Sequence, residues 1–124
     1  MKGIAMHSMY EDMAEIASKM NANPRAVHLM EVFPRVVQFS VSEEDDQFFV
    51  RIENSRIELY ESTANDPDLV VRILNAAQFR EVLHGKLDIS HAFAQGNLTV
   101  QRGKLSEMIL FSRIVSVAQR GKVK

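Results

Sequence analysis

The chain has 124 residues, 46% of them hydrophobic and 25% charged, which suits one globular domain with a single core. Its 15 Lys and Arg against 16 Asp and Glu leave a net charge of -1, so the charge balance makes no case for nucleic acid as a partner. There is no cysteine, which excludes disulfides, thiolate catalysis and cysteine-held metal.

Ser8 and Glu11 have the spacing of a capping box. Met9, Met13, Ile16, Ala17 and Met20 then recur at helical spacing and form one apolar stripe. Asn21 to Asn23 interrupts it. Pro24 suits the first position of a second helix capped by Asn23, which carries Val27, Met30 and Phe33 and stops at Pro34. From Arg35 the period changes to two. Val37, Phe39 and Val41 point inward, and Gln38 and Ser40 outward. Ser42 to Asp46 reads as a turn. In the next run Phe48, Val50 and Ile52 face the core, with Gln47, Arg51 and Glu53 toward water. Asn54-Ser55 makes a tight turn, and Ile57 and Leu59 continue the alternation. These three strands are expected to form an antiparallel meander with one wet face. Ser62 to Pro67 is a polar loop, and Leu69, Val71 and Ile73 belong to a fourth strand.

Asn75 and Gln78 repeat the capping-box spacing ahead of a helix with Phe79, Val82 and Leu83 on its apolar side. Gly85 is placed to end that helix in a left-handed conformation. Asp88 caps a short helix carrying Ile89, Ala92 and Phe93, closed by Gly96. Leu98 and Val100 are the inward positions of a fifth strand, and the last helix runs from near Lys104 to about Gln119. The fold class is therefore α+β: helices gathered on one face of a twisted, mostly antiparallel five-stranded sheet. The whole chain, 1–124, reads as one domain: helices over 1–33, strands over 35–74, then helix, helix, strand and helix over 75–124.

No basic start followed by a long apolar run marks a signal, and no apolar stretch is long enough to span a bilayer. The terminal Gly-Lys-Val-Lys is no peroxisomal or retention address. A cytoplasmic protein is the expectation. Glu43 to Asp46 is an acidic cluster, read as a solvated turn because it lacks a calcium-ligand loop. Arg102, Lys104, Arg113, Arg120, Lys122 and Lys124 make the last part basic, either as a solvated face or as a weak attraction to anionic lipid headgroups or an acidic partner.

Chemistry-bearing groups do not converge. His7, His28, His84 and His91 lack zinc spacing. Ser40, Ser90 and Ser112 have no nucleophile-elbow context. Gly85, Gly96 and Gly103 are spaced as helix or turn stops, not as a phosphate loop. No catalytic residue, metal or cofactor is expected. The last helix is the unusual element. Leu105, Met108, Ile109, Leu110, Phe111, Ile114, Val115, Val117 and Ala118 cover more of its circumference than the roughly 100° stripe of a surface helix. The surplus must meet other helices, a partner subunit or an apolar ligand.

Asp68-Leu-Val-Val-Arg-Ile, Phe79, Val82-Leu83, Gly85-Lys86-Leu87 and Ala92-Phe93-Ala94-Gln95-Gly96-Asn97-Leu98-Thr99-Val100, in this order and spacing, resemble the C-terminal half of the sterol carrier protein 2 (SCP-2) domain. The likeness is close over Asp68 to Val100, limited to strand pattern from Val36 to Tyr60, and limited to the presence of a helix before Met20. One stretch departs from it. Gly103 falls about one residue late and Arg102 stands nearer the family's usual glycine position, so Gln101 to Glu107 is where the mouth of a cavity would be reshaped.

The resemblance implies an apolar cavity between sheet and helices and non-catalytic binding or transfer of a sterol, fatty acyl chain, acyl-CoA, phospholipid or isoprenoid quinone precursor, by a stand-alone, bacterial-type member. The expected wall combines Phe39, Val50 and Val71 with Phe79, Leu83, Phe93, Met108, Ile109, Phe111 and Ile114, over a floor of Leu98 and Val100. Gln95 or Arg102 would mark its polar end. Transient contact with a membrane surface would accompany exchange. The alternative is an interaction domain whose apolar last helix is buried in a homodimer or an enzyme partner, such as an accessory factor in quinone biosynthesis.

Overall fold

A computed structural model describes residues 8–120; His7, Lys122 and Lys124 lie outside them. The elements in chain order are α1 (Met9–Ala22), α2 (Pro24–Met30), β1 (Val36–Val41), a single 3-10 turn (Ser42–Glu44), β2 (Asp46–Glu53), β3 (Arg56–Tyr60), β4 (Leu69–Ile73), α3 (Ala76–Leu83), α4 (Ile89–Ala94), β5 (Leu98–Arg102) and α5 (Leu105–Arg120). The fold is α+β. The five strands lie in the order β3-β2-β1-β4-β5. The β1–β4 pair is parallel and the other three are antiparallel, so the sheet is mixed and mostly antiparallel.

Alternation along β1 and β2 sends Val37, Phe39, Val41, Phe48, Val50 and Ile52 to the face under the helices, where all are buried. Phe39 sits at the centre. Its ring lies 5.2 Å from that of Phe48, 6.0 Å from Phe79 on α3 and 5.8 Å from Phe111 on α5. The helix layer adds Met9, Met13 and Met20 from α1, Met30 from α2 and Met108 from α5, all buried.

The second face of the sheet is not simply wet, as its polar positions suggest. β3 is an edge strand and β4 pairs beyond β1, so the chain after Tyr60 has to cross β2 and β1. It does so over the face away from the helices. There the Ala64 amide donates to Gln38 Oε1 at 2.7 Å, and Gln38 Nε2 donates to the carbonyl oxygens of Phe48 at 3.2 Å and Phe39 at 3.3 Å. Gln38 is thereby buried with its hydrogen bonds made. Phe49, on the same face, stacks on Tyr60 at 4.8 Å, with the Arg51 guanidinium 5.2 Å from the tyrosine ring.

The helix caps form as their sequences predict, with one exception. Ser8 Oγ accepts from the Glu11 amide at 3.1 Å, and Glu11 Oε1 accepts from the Ser8 amide at 2.9 Å. Asn23 caps α2 and Asp88 caps α4. Asn75 Oδ1 accepts from the Gln78 amide at 3.0 Å, but the return arm of the box is replaced, because the Asn75 amide donates to the Asn97 carbonyl. Gly85 follows α3 with φ +76.

The acidic cluster corrects its reading as a solvated turn. Glu43 Oε1 accepts from the Ala76 amide at 2.6 Å, Glu44 Oε1 from the Met9 amide at 3.1 Å, and Asp46 Oδ2 from the Tyr10 amide at 3.3 Å. These are amides that the first turns of α3 and α1 leave without helical partners, and the positive ends of both helices favour carboxylates. Arg80 of α3 bridges Asp12 of α1 and Glu44, the latter at 2.8 Å. The β1–β2 turn thus ties two helices to the end of the sheet.

Candidate functional site

Between the sheet and the helices the expected wall is brought together. Phe39, Val50, Val71, Phe79, Leu83, Leu98, Met108, Phe111 and Ile114 are all buried there. Val100 and Ile109 are partly buried against the same cluster. These side chains pack on one another, as the ring contacts around Phe39 show, and the Phe111 ring also meets Phe33 at 6.4 Å. Among the described residues no buried side-chain nitrogen or oxygen lacks a hydrogen-bond partner. The interior therefore has no orphan polar group to orient a ligand.

Three expected residues stand elsewhere. Phe93 is 38% exposed. α4 has only 6 residues, and Ile89 and Ala92, three apart, occupy its inner face; Phe93 is turned about 100° from Ala92. Gln95, the C-cap of α4, and Arg102 are both exposed. Arg102 pairs with Asp66 at 3.1 Å on the surface.

The corner from Gln101 to Glu107 is tied down by Glu107 and by contacts with Arg35, Asp68 and Leu69. Glu107 Oε2 accepts from Arg35 Nε at 2.8 Å and Glu107 Oε1 from the Lys104 amide at 2.8 Å. The guanidinium of Arg35 holds the Glu107 carboxyl below its ordinary pKa, against the opposing pull of partial burial. Gly103, at φ +89, lies against the Asp68 carbonyl and Leu69. A side chain at position 103 would meet the Asp68 carbonyl oxygen, Glu107 Oε1 and Leu69 Cδ1, so the glycine is what lets this corner pack.

An opening lies at the other end of α5. A groove of about 380 Å³ runs between the turn joining α3 to α4 and the stretch of α5 from Ile109 to Arg120, near the lower end of the roughly 300–1,000 Å³ usual for small-molecule sites. Val82, Leu87, Ile89 and Ile109 supply its apolar surface; Lys86, Asp88, Arg113 and Arg120 its charged groups; Ser112 and Ser116 its hydroxyls. Gln119 holds the two sides together, its Nε2 donating to the Leu83 carbonyl at 2.9 Å. Of these lining residues only Ile109 belongs to the wall expected from sequence. A signal for the others is present: Ile109, Ser112, Arg113, Ser116 and Arg120 recur at helical spacing, and small hydroxyls with cations on an otherwise apolar helix mark a face that is not packed.

The surplus apolar surface of α5 is met within the chain. α5 packs against α1, α2, α3 and α4, which bury Met108, Phe111, Ile114, Val115 and Ala118. Among the described residues no group of three or more His, Asp or Glu is placed to hold a metal, and no helix is long and apolar enough to cross a membrane.

The sequence matches the family described as the SCP-2 sterol transfer family over residues 12–105. No curated protein matches the chain by sequence. Among solved structures, the "UbiJ-SCP2 Ubiquinone synthesis protein" is 13% identical, superposes with a TM-score of 0.72, and aligns over 89% of this chain and 95% of its own. The sterol carrier protein domain 2 of Helicoverpa armigera is 16% identical with a TM-score of 0.72 over 98% of both chains. The same fold occurs inside an enzyme, the stereoselective inverting sec-alkylsulfatase Pisa1 from Pseudomonas sp. That match has 12% identity and a TM-score of 0.74, over 87% of this chain but only 16% of that one.

Proposed function

The chain belongs to the SCP-2 sterol transfer family, and from that premise we propose that it takes up an apolar lipid between the sheet and α5 and releases it with no bond made or broken. The observation that carries this reading is the groove beside α5, whose apolar residues Val82, Ile89 and Ile109 are continuous with the interior cluster. A lipid tail entering there would meet Phe79, Leu83, Met108, Phe111 and Ile114, and beyond them Phe39, Val50, Val71 and Leu98. Each methylene moved from water into such surroundings is worth about 0.8 kcal/mol, so ten bring about 8 kcal/mol. Room comes from rearrangement. The unbranched, polarisable methionines of α1, α2 and α5 can repack around a guest at small cost, and the α3–α4 turn is the segment whose outward movement would widen the groove.

The test is direct. Protein purified without detergent is extracted and its bound apolar species identified by mass spectrometry, and the emptied protein is titrated with a fluorescent acyl probe. Saturable, stoichiometric uptake is the expected result. Absence of both bound lipid and probe uptake would remove the reading. The likeness to a ubiquinone synthesis protein favours including an isoprenoid quinone precursor among the competing ligands, and with it an accessory role beside an enzyme. Light scattering across a concentration range checks the homodimer reading, for which α5 has little apolar surface left over.

A further inference from the structure

We infer that the groove beside α5 selects an anionic amphiphile, with a carboxylate or phosphate head held by Lys86, Arg113 and Arg120 and the first part of the tail on Ile109, Val82 and Ile89. This rests on the lipid-binding reading and adds the chemical class of the ligand.

Three observations support it. First, three cations and one acid line a single concavity. The acid, Asp88, already has a role, its Oδ2 accepting from the Ser90 amide at 3.2 Å as the cap of α4. Lys86, Arg113 and Arg120 make no ion pair or side-chain hydrogen bond among the described residues. Like charges gathered around a low-dielectric wall repel, and an anion placed among them removes that cost.

Second, the buried lining of the groove is apolar and its exposed lining is mostly basic. Ile109 and Arg120 stand at opposite ends of one α5 stripe. Arg113 and Arg120 are separated by two helical turns, about 10 Å along the axis. Val82 and Ile89 are buried, whereas Lys86, Arg113 and Arg120 are exposed. An amphiphile fits this gradient in one orientation only, tail inward.

Third, the interior has no unpartnered polar group among the described residues. A head of any polarity is therefore excluded from it and has to remain at the rim. Ser116, which also lines the groove, makes no hydrogen bond among those residues and can donate to the head, whereas the Ser112 hydroxyl already donates to the Ile109 carbonyl at 2.9 Å. A neutral sterol would add no counter-charge to a lining of three cations and one carboxylate.

The probe pair is a fluorescent polyene fatty acid and its methyl ester, which share a tail and differ in charge. The full chain is expected to bind the acid about tenfold more tightly than the ester, a difference of about 1.4 kcal/mol, and added salt should erode the acid's advantage only. The triple variant Lys86→Gln, Arg113→Gln, Arg120→Gln should lose that preference while binding the ester unchanged. The variant Arg113→Lys, Arg120→Lys should retain most of it. All three side chains are exposed, and circular dichroism verifies that the variants fold. Equal binding of acid and ester by the unaltered chain overturns the inference and leaves lipid binding standing. Binding of neither probe removes both. If the three cations govern co-sedimentation with phosphatidylglycerol vesicles but not the choice between acid and ester, the groove is a membrane contact and the inference falls.

Discussion

Replacing Gly103 by alanine tests whether the corner at the start of α5 is locked. At φ +89 an L side chain is strained, and a Cβ there would lie 2.8 Å from the Asp68 carbonyl oxygen and 2.9 Å from both Glu107 Oε1 and Leu69 Cδ1. None of these can retreat freely. The Asp68 amide donates to the Val36 carbonyl at 2.9 Å, and Glu107 is held by Arg35 and by the Lys104 amide. The structure supplies its own control in Gly96, which has φ +78 and nothing within 4 Å of the place a methyl would occupy. Gly96→Ala carries the backbone strain alone, about 1–2 kcal/mol. Gly103→Ala carries that strain plus overpacking of about 1–3 kcal/mol. At about 4 °C per kcal/mol for a domain of this size, Gly103→Ala should melt about 4–12 °C below Gly96→Ala when both are followed by far-ultraviolet circular dichroism. Urea titrations should show lower midpoints with unchanged slopes. Equal melting temperatures for the two variants would refute the locked corner.

Phe111→Ala removes a fully buried ring in contact with Phe33 and Phe39 and should cost about 3–5 kcal/mol, whereas Phe93→Ala, on an exposed ring, should cost less than about 1 kcal/mol; similar urea midpoints for the two would contradict the placement of Phe93. Glu107 has a depressed pKa caused first by its hydrogen bond from Arg35, so its stabilisation is present above the ordinary carboxyl value of about 4.3 and is lost as pH falls through the lower folded value. Glu107→Gln should cost about 1–2 kcal/mol at neutral pH and flatten the acid limb of a plot of stability against pH; an unchanged limb would count against the Arg35 pairing. Arg80→Ala strands the partly buried carboxylates of Asp12 and Glu44 and should cost about 1–3 kcal/mol, with a double-mutant cycle against Glu44→Gln returning a non-zero coupling.

The sequence carried the local structure and the lineage. Ser8 with Glu11, Asn23 before Pro24, and Asp88 before Ile89 cap the helices that follow them, because a cap depends on groups two or three residues apart. The inward sets of all five strands are legible from period-two alternation, and the ordered motifs from Asp68 to Val100 carry the family. Contacts between distant segments decided the rest. β1 pairs with β4 because the chain crosses the sheet after β3, and that crossing buries Gln38, whose residue type points to water. Glu43, Glu44 and Asp46 are ligands for helix amides more than 30 residues away, a demand invisible until α1 and α3 are placed. Phe93 shares the apolar character of Ile89 and Ala92, yet a helix of 6 residues offers an inner face too narrow for all three. The candidate site follows the same division: its buried apolar positions can be read from periodicity, but where a groove borders α5 cannot. Arg35 and Asp68 reach Glu107 and Gly103 only in the folded chain and pack one end of α5, while Lys86, Arg113 and Arg120 come to line one groove at the other. Hydrogen bonding and burial over a few residues are local properties of the chain; charge and space shared between segments tens of residues apart exist only once those segments are packed.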